Sequence, residues 1–585
     1  MEEIREAYPR PQFERKDWMS LNGAWDFRFD EEEWREIRVP FAYQAPLSGI
    51  GSNRICDRVC YRRRFRVPER WRGRDIRLHF GAVDYQCRVL VNGRQVGEHT
   101  GGNIGFSFDI TEALTWEEEE ITVLVWDPWD DEGIPRGKQY WKKEPESIWY
   151  TRTTGIWQTV WLEPVSRLHL ESLRVRGQVD SGRVEIAWRV SGAPAGSRIS
   201  FDISLRGEKI ASLSQEITEK IGSLGTDLFN AHIFRMNFHG DGWCWTPEHP
   251  TLFDLEVRVE EGQEIRDEVR SYFGIREIEA KDGIVYLNHR PYYQKLVLDQ
   301  GYWPEGIMTA PSDESLREDI EKAKAMGFNG CRKHQKAEDP RFLYWADRLG
   351  YLVWSEIGSC ITFSEESAGR LLTEWREAVT RDMGHPSIVA WVTVNESWGV
   401  PGVARDRQQQ DLTRALYYQC KALDPTRLVI GNDGWEIAIS DLCAIHNYRH
   451  GAPGDRETRE AFRRSLSTRE ALLEGMPSDR PILIGEGDRE GMPILLTEFG
   501  GITLETRRDQ DWGYTRVRDA EGLEEEYRSL LEAIGASRAL CGFCYTQLSD
   551  VEQETNGLLT AEREFKADPE KIRQINDRVR GFWRQ

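Results

Sequence analysis

Two glutamates stand at the ends of similar apolar segments. Residues 387–396 read SIVAWVTVNE and residues 493–500 read PILLTEFG. Each run suits a buried strand, and each delivers a carboxylate: Glu396 behind Asn395, and Glu498 ahead of Phe-Gly-Gly. Two carboxylates facing one cleft suit cleavage of a glycosidic bond. One must be protonated to help the leaving oxygen depart, and the other ionised to attack the anomeric carbon. Repulsion between them helps keep one proton on the pair. A separation of about 5–5.5 Å goes with retention through a covalent glycosyl-enzyme, and a wider one with inversion. A glutamate at such a place can also do no more than pair with an arginine or lysine. Two opposite ones, with Asn395 beside one and Gly500-Gly501 behind the other, weigh toward chemistry.

Other chemistries find less support. A metal hydrolase needs clustered histidines, and His334 and His446 come without an H-x-H or H-E-x-x-H pattern. No G-x-S-x-G marks a serine nucleophile. Cys541-Gly-Phe-Cys544 has redox spacing, but it lies in RALCGFCYTQL, which reads as a strand, whereas the redox motif opens a helix.

The elements that must position the glutamates begin near residue 276. From there, short apolar runs alternate with helical patterns such as 313–327, 405–424 and 522–536. The strand candidates are KLVLDQ, GFNGCRKH, GYLVWSE, SIVAWVTVNE, RLVIGND, DLCAIHN, PILLTEFG and ALCGFCYTQ. Eight strand–helix units predict a (β/α)8 barrel, whose functional residues sit at the C-terminal ends of the strands. Those ends carry Asp299, His334, Glu356, Glu396, Asp433, His446-Asn447, Glu498 and Gln547. Glu396 ends the fourth strand and Glu498 the seventh, nearly opposite across the mouth.

Upstream the pattern is β. Residues 1–165 hold YRRRFRVP, DIRLHFGAV, CRVLVNGRQVGEH and EITVLVWD, separated by turns such as Asn92-Gly93. Residues 166–275 hold short strands spaced as in a sandwich. The expected organisation is a multidomain β plus α/β chain, with domains at 1–165, 166–275 and 276–585.

Composition narrows the partners. The net charge of −21 argues against nucleic acid. Mean hydropathy is −0.62, and no apolar run approaches the length of a membrane span. The charged start MEEIREAYPRPQFERKDW has no apolar signal region, and 10 Cys without a regular framework suit a reducing cytoplasm. The 23 Trp suit sugar-binding surfaces, but composition alone favours the packing of β cores.

The order of several segments resembles glycoside hydrolase family 2, which holds β-galactosidases, β-glucuronidases and β-mannosidases. LNGAWDFRFD (21–30) and VLVNGRQVGEHTGGNIGFSFDIT (89–111) look like its N-terminal jelly-roll sugar-binding domain. TTGIWQTVWLEP (153–164) looks like the join to an immunoglobulin-like β-sandwich. WTPEHPTLFDLEV (245–257) and FGIREIEAKDGIVYLNHRP (273–291) resemble the exit from that sandwich into the barrel. HPSIVAWVTVNES (385–397) and PILLTEFGG resemble the two catalytic segments. The resemblance implies Glu396 as general acid/base, Glu498 as nucleophile and Asn395 on the sugar 2-hydroxyl. It further implies Tyr448 on the nucleophile, with Asp299, His334, Asn447 and Gln547 near sugar hydroxyls. Trp398, Trp435 and Trp512 are stacking candidates.

Three departures bear on substrate. His334 follows Arg332 by two positions, where the family often has three. The β-glucuronidases carry Asn-x-Lys near the eighth strand, and its lysine pairs with the sugar carboxylate; here Asn556 is followed by Leu558, with Lys333 and Lys336 as other cations. Large β-galactosidases bind magnesium through a Glu and a His after the third strand, and Glu356 has no such histidine. The expected activity is therefore a retaining exo-β-glycosidase without cofactor or metal, a β-galactosidase first. The alternatives are action on a glucuronide or galacturonide, or a non-catalytic carbohydrate-binding protein. A cytoplasmic homodimer or higher homo-oligomer is expected, with no membrane or nucleic-acid partner.

Overall fold

Alternation builds the first sandwich. The strand Gly23–Phe29 buries Trp25, Phe27 and Phe29 and turns Ala24 and Asp26 outward, as the two-residue period requires. It belongs to a six-stranded antiparallel sheet with Arg35–Val39, Arg58–Phe65, Glu119–Trp126, Gln86–Val91 and Arg94–Thr100. A four-stranded sheet of Met19–Ser20, Val160–Val165, Asp75–Phe80 and Phe106–Asp109 packs on it. The computed structural model describes residues 5–230, 243–484, 491–505 and 511–584.

The second sandwich is smaller. Sheets of three and four antiparallel strands enclose Trp188, Phe201, Phe253 and Phe273. Arg15 ties the two sandwiches together through Glu163 at 2.9 Å and Asp267 at 2.8 Å.

The barrel follows. Its strands are β1 (Gln294–Asp299), β2 (Gly330–Lys333), β3 (Leu352–Ser355), β4 (Ile388–Val392), β5 (Leu428–Ile430), β6 (Cys443–His446), β7 (Ile494–Glu498) and β8 (Leu540–Tyr545). All the pairings are parallel, running from β5 back through β1 to β8, β7 and β6. The expected helices form with side-chain caps. Ser312 caps Asp313–Ala325, Asp406 caps Arg407–Leu423 and Asp519 caps Ala520–Gly535. The Cys541–Cys544 pair lies on β8, fully buried, as a strand reading requires.

One expected unit differs. No helix lies between β5 and β6. The connection turns back on β5 instead: Ser440 pairs antiparallel with Ile430, and the Asp441 carboxylate accepts the Val429 N–H at 2.8 Å. That return strand occupies part of the β5 edge, so the barrel closes here through Gly434 and not through a ladder. The Gly434 N–H donates to Ala444 at 3.2 Å, and its carbonyl accepts the His446 N–H at 3.4 Å.

A loop of the first sandwich, residues 135–153, lies over the barrel mouth. The Gly137 N–H donates to the Ser359 carbonyl at 3.1 Å, and the Gln553 amide donates to the carbonyls of Ser147 and Trp149. Among the described residues no helix is long and apolar enough to cross a membrane.

Candidate active site

Arg332 is the hub. It sits on β2 with its side chain fully buried in the barrel bore. Such a charge survives burial only when paired and hydrogen-bonded. Its guanidinium reaches Glu356, Asp433 at 3.0 Å and Glu498 at 2.7 Å, and it donates to the Asn395 carbonyl oxygen at 2.6 Å. Strands β2, β3, β4, β5 and β7 are thereby referenced to one planar group.

His446, at the end of β6, joins the two expected glutamates. Its Nδ1 lies 2.9 Å from Glu396 and 3.4 Å from Glu498, and its Nε2 lies 3.0 Å from Asp433. Burial disfavours its cation, but Glu498 and Asp433 outweigh that and raise the imidazole to about 10. Burial would also raise Glu498. The charges of His446 and Arg332 prevail and hold its carboxyl well below the usual range. Asp433 is held at about 2 against burial by Arg332 and His446, whereas burial pushes Glu356 up to about 7 despite Arg332.

One oxygen each of Glu396 and Glu498, with a nitrogen of His446, lie within 4.8 Å of one another. These three, and Glu277 with Glu279 and His289 on the hairpin entering the barrel, are the described groups close enough to share a cation. In the first trio His446 already brings the positive charge.

The backbone at Glu396 is unusual. Glu396 and Ser397 have φ of 51° and 62°, in the left-handed region that ordinary residues seldom occupy. The Glu396 N–H donates to the Asp433 carbonyl and the Ser397 N–H to Asn432, each near 3 Å, and these bonds hold the turn. It swings the carboxylate off the strand toward β6 and β7.

Several expected residues converge here. The Tyr448 hydroxyl donates to Glu498 at 2.8 Å, and its ring stacks on Tyr514 with centroids 3.5 Å apart. Asn395, Trp435 and Gln547 each keep a buried N–H donor with no partner among the described residues. His334 lies 3.3 Å from Glu356; burial and Arg332 push its imidazole well below the usual value. Trp435 meets His446 edge-on, and Trp512 meets Tyr514 edge-on. Trp398 packs against Trp149 and Trp141 of the mouth loop.

Two expected residues turn elsewhere. Asp299 is bonded by Lys333 at 2.7 Å and by the Gly301 N–H at 2.8 Å. Lys333 alternates with Arg332 along β2 and faces the ring of Phe342 on the outer helix Pro340–Leu349, so this pair lies outside the bore. Asn447 alternates with His446 in the same way. Its side chain serves Ser465 and the Arg449 N–H. Lys336 is engaged by Glu338 and the carbonyls of Gly301 and Met308. Arg332 and Tyr514 lie outside the expected set, while Asp433 and His446 enter it only as strand-end residues without a role. The two-residue period narrows each strand end to a pair, Arg332 or Lys333 and His446 or Asn447, and the phase that chooses between them is seen only in the fold.

Comparison with known sequences matches residues 4–506 of the chain in three successive segments. The profile described as Glycosyl hydrolases family 2, sugar binding domain matches residues 4–163. The one described as Glycosyl hydrolases family 2 matches 168–276, and its TIM barrel domain matches 278–506. A Beta-galactosidase of Thermoanaerobacter pseudethanolicus is 29% identical over 399 residues, covering 65% of this chain and 51% of that protein. A Putative beta-glucuronidase of Formosa agariphila is 24% identical, covering 72% of this chain and 51% of that protein. The chain thus spans about half the length of these curated relatives. Among solved structures, a β-glucuronidase from Ruminococcus gnavus in complex with D-glucuronic acid superposes with a TM-score of 0.76 at 18% identity, covering 99% of this chain and 100% of that one. A beta-galacturonidase from Eisenbergiella tayi bound to glycerol gives 0.75 at 18%, covering 99% of both chains. At such identities the structures speak to the fold alone.

Proposed function

The chain belongs to glycosyl hydrolase family 2, and from that premise we propose that it is a retaining exo-β-glycosidase, with Glu498 as nucleophile and Glu396 as acid/base. The observation that carries this reading is the approach of Glu396 and Glu498 oxygens to within 4.8 Å. It fits the spacing of about 5–5.5 Å at which the second carboxylate attacks carbon directly, and falls short of the wider gap that goes with inversion.

The roles follow from the surroundings. Glu498 stays ionised because Arg332 and His446 face it, and the Tyr448 hydroxyl orients its second oxygen. Glu396 is half-buried at the mouth, where a leaving oxygen can reach it. It gives its proton as the bond to the aglycone breaks and Glu498 bonds to the anomeric carbon. It then takes a proton from the water that releases the sugar. The free Asn395 amide donor suits the sugar 2-hydroxyl. The mouth loop with Trp149 closes one side of the cleft, which suits removal of a terminal sugar.

The sugar expected from the sequence is neutral, a β-galactoside. Burial of Leu558 and the engagement of Lys333 and Lys336 support it, because none of these offers a partner to a carboxylate. A glucuronide or galacturonide is the second reading, and the ammonium of Lys138 favours it. The glycosidase reading is tested with Glu498→Gly on aryl β-glycosides. Turnover should be lost, and azide should restore aglycone release with an α-glycosyl azide as product. A folded variant that azide fails to rescue would sink the assignment.

A further inference from the structure

Lys138 belongs to the loop that the first sandwich lays over the barrel. Its backbone is fixed: its carbonyl accepts the Tyr150 N–H at 2.9 Å, and its neighbour Gly137 is bonded to Ser359 beyond β3. Only 7% of the residue is exposed. The ammonium lies 5.5 Å from the ring centroid of Trp149. Trp149 in turn meets Trp398, two positions beyond Glu396, with centroids 4.9 Å apart. The Lys138 charge also acts on His334 and Glu554, both at the barrel mouth.

The other lysines buried here have partners. Lys333 is paired with Asp299 and Glu338, and Lys336 with Glu338 and two carbonyls. Lys138 makes no ion pair or hydrogen bond through its ammonium among the described residues, and the ammonium keeps some contact with solvent. Glu554 feels the Lys138 charge but stands beyond ion-pair distance from it. One of its oxygens accepts the Tyr150 hydroxyl at 2.5 Å, and the other accepts the Asn556 amide at 3.0 Å. A largely buried lysine whose ammonium touches no anion offers a place for one on a ligand.

Resting on the glycosidase reading above, and taking the second of its two sugars over the neutral one, we infer that Lys138 is the specificity-determining cation of the site and binds a carboxylate on the substrate sugar, so that the sugar taken is a uronic acid. The lysine enters from the first sandwich beside the segment after β8, near Asn556, where the barrel itself has Leu558. The Trp149 ring lies under the ammonium, backed by Trp398, and an apolar wall strengthens attraction for a carboxylate by excluding water.

The test compares the full chain with Lys138→Met and Lys138→Arg. Each is assayed on 4-nitrophenyl β-glucuronide, β-galacturonide and β-galactoside. The intact protein should prefer a uronide. Lys138→Met should lower the uronide-to-galactoside ratio of kcat/KM about a hundredfold, the scale for losing one partner of a desolvated charge pair. Lys138→Arg should recover part of that ratio. A ratio unmoved by Lys138→Met, with the galactoside preferred throughout, overturns the inference and leaves the glycosidase reading standing. Failure of the intact protein to cleave any of the three overturns both.

Discussion

Burial and charge pull His446 in opposite directions, and charge prevails. The imidazole is enclosed, but Glu396, Asp433 and Glu498 all face it, and its proton is held to about 10. A folded value above the unfolded one, about 6.5 for histidine, stabilises the fold fully below that unfolded value. The gain is lost as pH rises toward the folded value. The stability advantage of the native protein over His446→Gln should therefore shrink steadily between about pH 7 and pH 10, as read from urea midpoints. An advantage constant across that window would contradict a charged His446. At this scale the sequence singles out Glu396 and Glu498 because each ends an apolar run. It did not disclose Arg332 over Lys333, or His446 over Asn447. Both choices depend on the phase of a strand of four residues, and a one-residue change of phase exchanges the inner and outer faces.

Helix boundaries were legible through their caps, because Ser312, Asp406 and Asp519 precede amphipathic runs. The β5–β6 connection was not. RLVIGND and DLCAIHN read as two ordinary barrel strands, and only the folded chain shows the segment between them pairing back on β5. Gly434 is the consequence. Its φ is 109°, and a Cβ there would come 2.9 Å from the His446 Nδ1. Gly434→Ala should cost about 1–3 kcal/mol of stability, the scale of one strained backbone position. It should also lower kcat/KM by displacing the imidazole that faces both glutamates. Urea titration and initial rates check the two effects, and a variant indistinguishable from native in both would contradict this role.

Across the whole molecule, the order of segments made two sandwiches and a barrel legible, because each class has its own hydrophobic period. How the first sandwich meets the barrel was not legible. The bond between Tyr150 and Glu554 joins residues 404 positions apart, and no local pattern announces it. That docking brings Trp149 and Lys138 to the barrel mouth, so residues of the first sandwich and of the barrel wall the same cleft. The complete chain is accordingly the right object for the decisive measurement, which is the anomer first released from the best aryl β-glycoside, followed by proton NMR before mutarotation. The β anomer appearing first is the result predicted by two carboxylates close enough for direct attack. The α anomer appearing first would mean that a water stands between them, and Glu498 would not be a nucleophile.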